Sequence, residues 1–181
     1  MKRDEIENQL KIMSDFLKME FLEGLLKKGA GIEEKKFICQ KLGELYAGRN
    51  MFAEATKNMD KAAEAAIAAR EKIDLYLKEI DLAIRAGNYF LVDEILRKIM
   101  GLANAAQKLE IKQNVKNFYI KQAEIFEKTG RRGNALKVYE IVAGLADESE
   151  KKPIIEKLLF LYDRLGKIRE GTLMRERLAK M

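Results

Sequence analysis

The stretch KTGRRGNALKVYEIVAGLA, residues 128–146, decides how the chain folds. Gly130 and Gly133 bracket two arginines and Lys137 follows, which is the composition of a loop that holds phosphate groups. A phosphate-binding loop of the GxxxxGK[ST] type needs a buried strand before it. The preceding residues, 119–129, carry apolar side chains at helical spacing instead. The stretch therefore predicts the corner of a helical hairpin.

The same corner occurs four times along the chain. Four segments of about 30 residues align without gaps, and their starts are 37, 43 and 36 residues apart. They begin at Phe37, Asp74, Asn117 and Pro153. Apolar or small residues recur in register on both sides of each corner; the four clearest columns are Ile38/Leu75/Phe118/Ile154, Leu45/Leu82/Ile125/Leu161, Ala55/Val92/Ala135/Gly171 and Ala63/Met100/Ala143/Ala179. Such agreement indicates an internal repeat of helix pairs.

One column near the end of each first helix holds residues that tolerate the left-handed backbone conformation. Its members are Asn50, Gly87, Gly130 and Gly166. Glycine and asparagine at this place are typical of the residue that stops a helix. The column predicts four helix ends with the same geometry.

These features resemble the tetratricopeptide repeat. The first segment is closest to that family, with Leu42, Gly43 and Tyr46 on its first helix and Phe52, Ala55, Met59 and Ala62 on its second. The resemblance covers residues 37–181. It departs from the family in its spacing, which exceeds the usual 34 residues, and in having Pro153 as the chain's only proline. It implies an all-α fold, an α-solenoid of about four helical hairpins.

In two regions the sequence pattern that predicts the helices is weaker. Residues 1–30 have an apolar stripe through Ile6, Leu10, Met13 and Leu17, so we expect one additional N-terminal helix that covers the first repeat. Between Met51 and Ala86 no Gly, Pro or Ser marks a break, and we place it near Ala69–Lys72. The whole chain, 1–181, is predicted to be a single domain, with hairpin repeats over 32–181.

Composition limits the chemistry. The chain has no histidine, so the commonest general base and metal ligand are missing. The single Cys39 forms no internal disulfide, which favours the cytoplasm. We therefore expect no enzyme activity, no metal and no cofactor, although catalysis by carboxylates alone stays open. The net charge is +6, and its excess lies in residues 91–181. No apolar stretch is long enough to span a membrane.

The resemblance implies that the first helices of the hairpins line a concave groove. On that face one column is Lys41/Lys78/Lys121/Lys157, and the next holds Arg85, Lys128 and Arg164. Phe160 replaces the acid that follows the lysine in the other three segments, Glu44, Asp81 and Glu124. We call these eight residues, seven cations and Phe160, the basic face. A solvated surface of paired charges would give the same pattern.

The sequence thus favours a non-catalytic protein-interaction module or scaffold. Its partner would be a protein or an acidic peptide, bound by the basic face in the groove or by the N-terminal helix. RNA or DNA binding by the basic C-terminal half is the alternative. Self-association through the N-terminal helix is left open, and the sequence does not decide the oligomeric state.

Overall fold

The computed structural model describes residues 3–180. Within them the chain is helical throughout, with no strand. The helices in chain order are α1 (Arg3–Lys11), α2 (Asp15–Lys27), α3 (Ile32–Gly48), α4 (Phe52–Ala65), α5 (Ala69–Ala86), α6 (Tyr89–Leu102), α7 (Ala105–Lys128), α8 (Arg132–Leu145), α9 (Glu148–Arg164) and α10 (Ile168–Ala179). The all-α prediction is confirmed.

The chain divides into two compact units, one ending at Lys108 and the other starting at Leu109. In the first unit, α3 packs on α4, α4 on α5, and α5 on α6. In the second, α8 packs on α9 and α9 on α10. Helix pairs that share a turn are therefore the building block of each unit. The single-domain organisation and the superhelix of four hairpins stay predictions.

The four turns between paired helices have one backbone geometry. Asn50, Gly87, Gly130 and Gly166 have φ of 59°, 74°, 72° and 69°. In each turn the next residue donates its N–H to the carbonyl five residues back; these bonds are Met51 to Tyr46, Asn88 to Ala83, Arg131 to Phe126 and Lys167 to Tyr162, at 2.8–2.9 Å. This is the Schellman arrangement, which satisfies carbonyls that a helix end leaves free. The predicted turn column is confirmed, and GRRGNALK is a hairpin corner.

The breaks between successive hairpins also share one geometry, which the sequence reading missed. Ala66, Ala103 and Ala146 follow α4, α6 and α8 with extended backbone, at ψ of 134°, 142° and 140°. They occupy the last column common to the first three aligned segments. The break expected near Ala69–Lys72 instead lies at residues 66–68, and α5 already begins at Ala69. Alanine adopts extended backbone without strain, so no Gly or Pro was needed to mark this break.

The starts of the second and third segments are 43 residues apart, more than the other intervals, and one long helix accounts for the extra residues. α7 has 24 residues, whereas α3, α5 and α9 have 17 or 18. Its start is fixed by a reciprocal pair: Asn104 accepts from the Gln107 N–H, and the Gln107 side chain accepts from the Asn104 N–H, both at 2.9 Å. This capping box satisfies two donors that the first turn would leave free.

The N-terminal region differs from the single helix that was expected. It forms two helices, α1 and α2, because Ser14 takes an extended conformation and caps α2 through the Leu17 N–H. Both helices cover α3, as expected of an end cap. The shared core consists of Ile6, Leu10, Met19, Leu22, Phe37, Ile38 and Leu42.

The apolar columns are buried where two helices of a hairpin face each other. Ala55, Val92, Ala135 and Gly171 are all buried. Two members of the apolar columns are not buried: Ile125 is 42% exposed, and Ala179 is exposed near the end of α10.

Replacing Ala135 by phenylalanine tests this packing. Ala135 is fully buried on α8, so the larger ring overpacks the hairpin core. We expect a loss of about 1–3 kcal/mol in the free energy of unfolding. Urea titration followed by circular dichroism measures it, with Lys137→Phe, on an exposed position of the same helix, as the control. Equal stability of the two variants would contradict the assigned packing.

Candidate partner-binding surfaces

Three residues of the basic face lie in the first unit, on α3 and α5. Lys41 is half-buried, whereas Lys78 and Arg85 are exposed. The Lys41 Nζ lies 3.0 Å from the Glu44 Oε2, three residues further along α3. Arg85 lies 3.9 Å from the Asp81 carboxylate, and its guanidinium stacks over the Phe52 ring at 4.5 Å. Two of these three cations therefore have an acidic neighbour.

The other five residues lie in the second unit, on α7 and α9. Lys121, Lys128 and Arg164 are exposed. The Arg164 guanidinium lies 5.3 Å from the ring centre of Phe160, which is 48% exposed. The Lys157 Nζ lies 3.1 Å from the Glu127 Oε2, so its acid comes from α7 and not from its own helix. Sequence spacing within one helix could not reveal that partner.

A cavity lies in the first unit, at the N-terminal end cap. Its volume is about 510 Å³, and it is lined by Glu7, Leu10, Lys11, Lys18, Lys41, Glu44 and Leu45. These residues come from α1, α2 and α3, so the cavity joins the predicted basic face to the predicted N-terminal region. We call it the end-cap cavity.

Three lysines and two glutamates surround the apolar floor of the end-cap cavity. Lys18 also bonds Asp15, and Lys11 bonds the neutral Asn8 side chain, each at 3.0 Å. Because Arg3 bonds Glu7 at 3.1 Å while Lys18 and Lys41 have their own acids, the small positive excess of the cavity comes from Lys11. Charged hydrogen bonds are stronger than neutral ones. The arrangement can hold an apolar side chain flanked by carboxylates.

A second cavity, of about 260 Å³, lies between α7 and α9 in the second unit. Its walls include Ile120, Ile154 and Lys157. Lys116 is 5% exposed, and its Nζ lies 2.5–2.6 Å from both carboxylate oxygens of Glu150. This bond is the main cause that lowers the pKa of Glu150. The cavity is close to charge-neutral and less suited to an acidic ligand.

The Lys116–Glu150 pair has an equivalent in the first unit. Lys36 on α3 bonds Glu71 on α5 at 2.8 Å, and it also bonds Glu33. Both lysines stand one residue before an aligned segment, and both glutamates three residues before the next. Each pair joins the first helices of two adjacent hairpins. The signal was present in the sequence, just outside the aligned segments.

Tyrosine–glutamate bonds join hairpins in a similar repeated way. The Tyr46 hydroxyl on α3 donates to Glu23 on α2 at 2.5 Å, and the Tyr162 hydroxyl on α9 donates to Glu140 on α8 at 2.7 Å. The bond to Glu23 is the main cause that raises the pKa of Tyr46 to about 12. Tyr46 and Tyr162 share a column. The bond between α2 and α3 is therefore equivalent to the bond between α8 and α9.

One buried acid belongs to none of these surfaces. Glu79 on α5 is 2% exposed, and its Oε2 has no hydrogen-bond partner within residues 3–180. Burial is the main cause that raises its pKa to about 8, and the nearby charge of Asp60 adds to it. Lys98, which lies 3.4 Å from Asp60, opposes the rise. The sequence reading missed Glu79, although it stands beside the apolar Ile80 in a helix with buried Tyr76 and Ala83.

Metal-binding clusters and membrane-spanning helices are both absent from residues 3–180. No group of three or more His, Cys, Asp or Glu side chains is placed to hold a metal ion. No helix in this range is both long and apolar enough to cross a membrane. Cys39 is buried, and burial is the main cause that raises the pKa of its thiol.

No protein-family model matches the chain, and no curated protein matches its sequence. Two solved structures are similar to it at 14% sequence identity. MamA AMB-1 has a TM-score of 0.43, with 98% of this chain and 95% of that chain covered. A point mutant of MamA has a TM-score of 0.44, with 98% and 88% covered. Similarity at this level establishes neither a shared family nor a shared function.

Proposed function

We propose that the chain is a non-catalytic interaction module that binds another protein through an acidic peptide segment. The end-cap cavity is the observation that carries the proposal. It combines Lys41, predicted from the sequence as a binding residue, with Lys11 and Lys18 above a floor of two leucines. A short peptide with an apolar side chain between two carboxylates matches both features, because its apolar side chain can contact the leucines and its carboxylates can bond the lysines.

The energetic argument favours the peptide over a lone anion. A carboxylate at an exposed lysine gains little, since exposed ion pairs contribute about 0–1 kcal/mol. Leu10 is 9% exposed, whereas Leu45 is partly buried and offers apolar surface. Covering that surface adds roughly 25 cal/mol per Å². The lysines then select for charge, and the leucines supply affinity that salt does not screen.

The remaining residues of the basic face are further candidate binding residues within each unit. Lys78 and Arg85 belong to the first unit, while Lys121, Lys128 and Arg164 are exposed in the second. The tetratricopeptide-like interpretation places them on first helices, where partners of such repeats bind. Lys157 contributes less charge because Glu127 neutralises it.

A non-catalytic role is supported by composition. The chain has no histidine, and its most unusual acid, Glu79, is buried away from solvent. We place this interaction in the cytoplasm, and binding of the partner needs no cofactor. Nucleic-acid binding and self-association through α1–α2 are the competing functions; Ile12, Phe16 and Leu17 are exposed there.

Selection of random peptides on the immobilised chain tests the proposal. We expect enrichment of peptides in which Asp or Glu flanks an apolar residue. The variant Lys11→Glu with Lys41→Glu should lose this enrichment, because it reverses the charge of the cavity. The matched control, Lys57→Glu with Lys61→Glu, changes the same charge on exposed positions of α4 and should retain it.

The outcomes separate the competing functions. Equal loss in both double variants would show that only net charge matters and would overturn the end-cap site. Binding of single-stranded RNA that both variants weaken, with a steep dependence on salt, would favour the nucleic-acid function instead. A mass that doubles with concentration, measured by light scattering, would favour self-association.

A further inference from the structure

A separate cavity of about 420 Å³ lies in the second unit, where α8, α9 and α10 meet. It is lined by Ala143, Glu148, Lys151, Ile155, Leu158, Met174, Arg177 and Lys180. It contains no residue of the basic face and no residue of the end-cap cavity. We call it the α9–α10 cavity.

The walls of this cavity are apolar on one side. Ile155, Leu158 and Met174 are 6%, 3% and 8% exposed, so they belong to the core of the unit and cannot move away easily. Ala143, at the end of α8, completes this side with a small side chain. An apolar group that enters here contacts fixed side chains, so little ordering of the protein opposes binding.

The charges are unequally distributed around the opening. Glu148 is the only acid in the lining, and it is already bonded to Lys151 on its own helix. Arg177 and Lys180 form no ion pair with any residue in 3–180. Arg177 lies on α10 and Lys180 directly follows this helix, and both line the cavity. The cavity thus has two cations available at one edge and an apolar interior beside them.

We propose that the α9–α10 cavity binds a small amphipathic carboxylate, an acid with one anionic group and an apolar body. The carboxylate meets Arg177, whose planar guanidinium can form two parallel bonds to it. The apolar body lies on Ile155, Leu158 and Met174. The volume falls in the range of sites for small ligands, about 300–1,000 Å³.

The charge distribution distinguishes this ligand from other candidates. A phosphate alone would leave the apolar side in contact with water, and an uncharged hydrocarbon would leave Arg177 and Lys180 without a counter-charge. A cationic amphiphile would be repelled by the same two groups. One negative charge at one end of an apolar body satisfies both sides of the cavity.

Calorimetric titration of the full chain with decanoate, below its critical micelle concentration, tests the inference. We expect saturable one-to-one binding with a dissociation constant of about 1 mM or lower. Arg177→Glu should weaken it at least about tenfold. Arg169→Glu is the matched control, since it makes the same change at an exposed position of α10 outside the lining, and it should bind normally. Ala143→Phe should also abolish binding by filling the apolar side.

Several results would overturn the inference. Decylammonium that binds as tightly as decanoate would show that the cations play no part. Equal weakening by Arg177→Glu and Arg169→Glu would indicate attraction by net charge alone. Unchanged binding in Ala143→Phe would place the ligand elsewhere, and no saturation near about 1 mM would exclude the site. Circular dichroism of each variant establishes that it is folded. Loss of peptide selection at the end-cap cavity leaves this test unaffected.

Discussion

Replacing Glu79 by glutamine is expected to make the chain more stable at about pH 9 and to leave its stability near about pH 5 almost unchanged. Glutamine has the shape of the protonated acid and carries no charge at any pH. At low pH the two proteins therefore bury nearly the same group. At high pH only the native protein has to bury a carboxylate whose Oε2 lacks a hydrogen-bond partner in the described structure.

The direction of this change in stability follows from the raised pKa of Glu79. The pKa of Glu79 is about 8 in the folded chain and near the ordinary 4.5 when unfolded. Between these values the folded chain keeps a proton that the unfolded chain has lost, so stability falls as pH rises through this window. Well above about pH 8 the loss is complete and on the order of 5 kcal/mol. Asp60 and Glu64 on α4 add to it, and Lys98 on α6 reduces it.

Urea unfolding of the wild type and Glu79→Gln at several pH values measures the effect. The wild-type free energy of unfolding should decline between about pH 5 and about pH 8, and the variant should show a smaller decline. Glu20→Gln removes an exposed acid in the same unit and should follow the wild type. If the wild type and Glu79→Gln have parallel pH profiles, the acid is charged and solvated in the folded chain.

The turns of this fold could be predicted from the sequence because their cause is local. A left-handed residue is needed to close a Schellman turn, and Asn50 and three glycines satisfy that need at a fixed column. The extended breaks at Ala66, Ala103 and Ala146 have no such requirement, since alanine is compatible with both helix and extended backbone. Their position depends on how adjacent hairpins pack.

The candidate sites show the same division between local and non-local causes. Lys41–Glu44 was expected because both residues lie on one helix face, and it forms. Lys157–Glu127 and Lys116–Glu150 join different helices, and no spacing within one helix predicts them. The end-cap cavity also depends on the break at Ser14, which sequence periodicity did not separate from a continuous helix.

Gly43→Leu is expected to be strongly destabilising, because α3 and α4 approach each other closely at this residue. A Cβ at Gly43 would lie 2.8 Å from the Met59 Cε, 3.1 Å from its Cγ and 3.3 Å from the Ala55 carbonyl oxygen. The methionine end can move, but the backbone oxygen cannot move without shifting α4. We expect a loss of about 3 kcal/mol in the free energy of unfolding, the upper end for an overpacked core.

The fourth hairpin carries its closely packed glycine on the second helix instead. A Cβ at Gly171 on α10 would lie 3.0 Å from the Asp163 Oδ1 and 3.9 Å from the Leu159 Cδ1, both on α9. Leu159 shares a column with Gly43, and Gly171 shares one with Ala55. The tight contact between paired helices is therefore made at a glycine of the first helix in the first hairpin and at a glycine of the second helix in the fourth.

The contact between Gly43 and Met59 predicts the outcome of a double-mutant cycle. Met59→Ala alone leaves a cavity beside Gly43 and should cost about 2–5 kcal/mol, since Met59 is 2% exposed. In the double variant with Gly43→Leu, the introduced leucine occupies the space that the methionine left, so the double variant should be more stable than the sum of the two losses predicts. A coupling of at least about 1 kcal/mol, measured by urea unfolding, is expected for residues in contact. Strictly additive losses would mean that the introduced leucine is accommodated by separating α3 from α4.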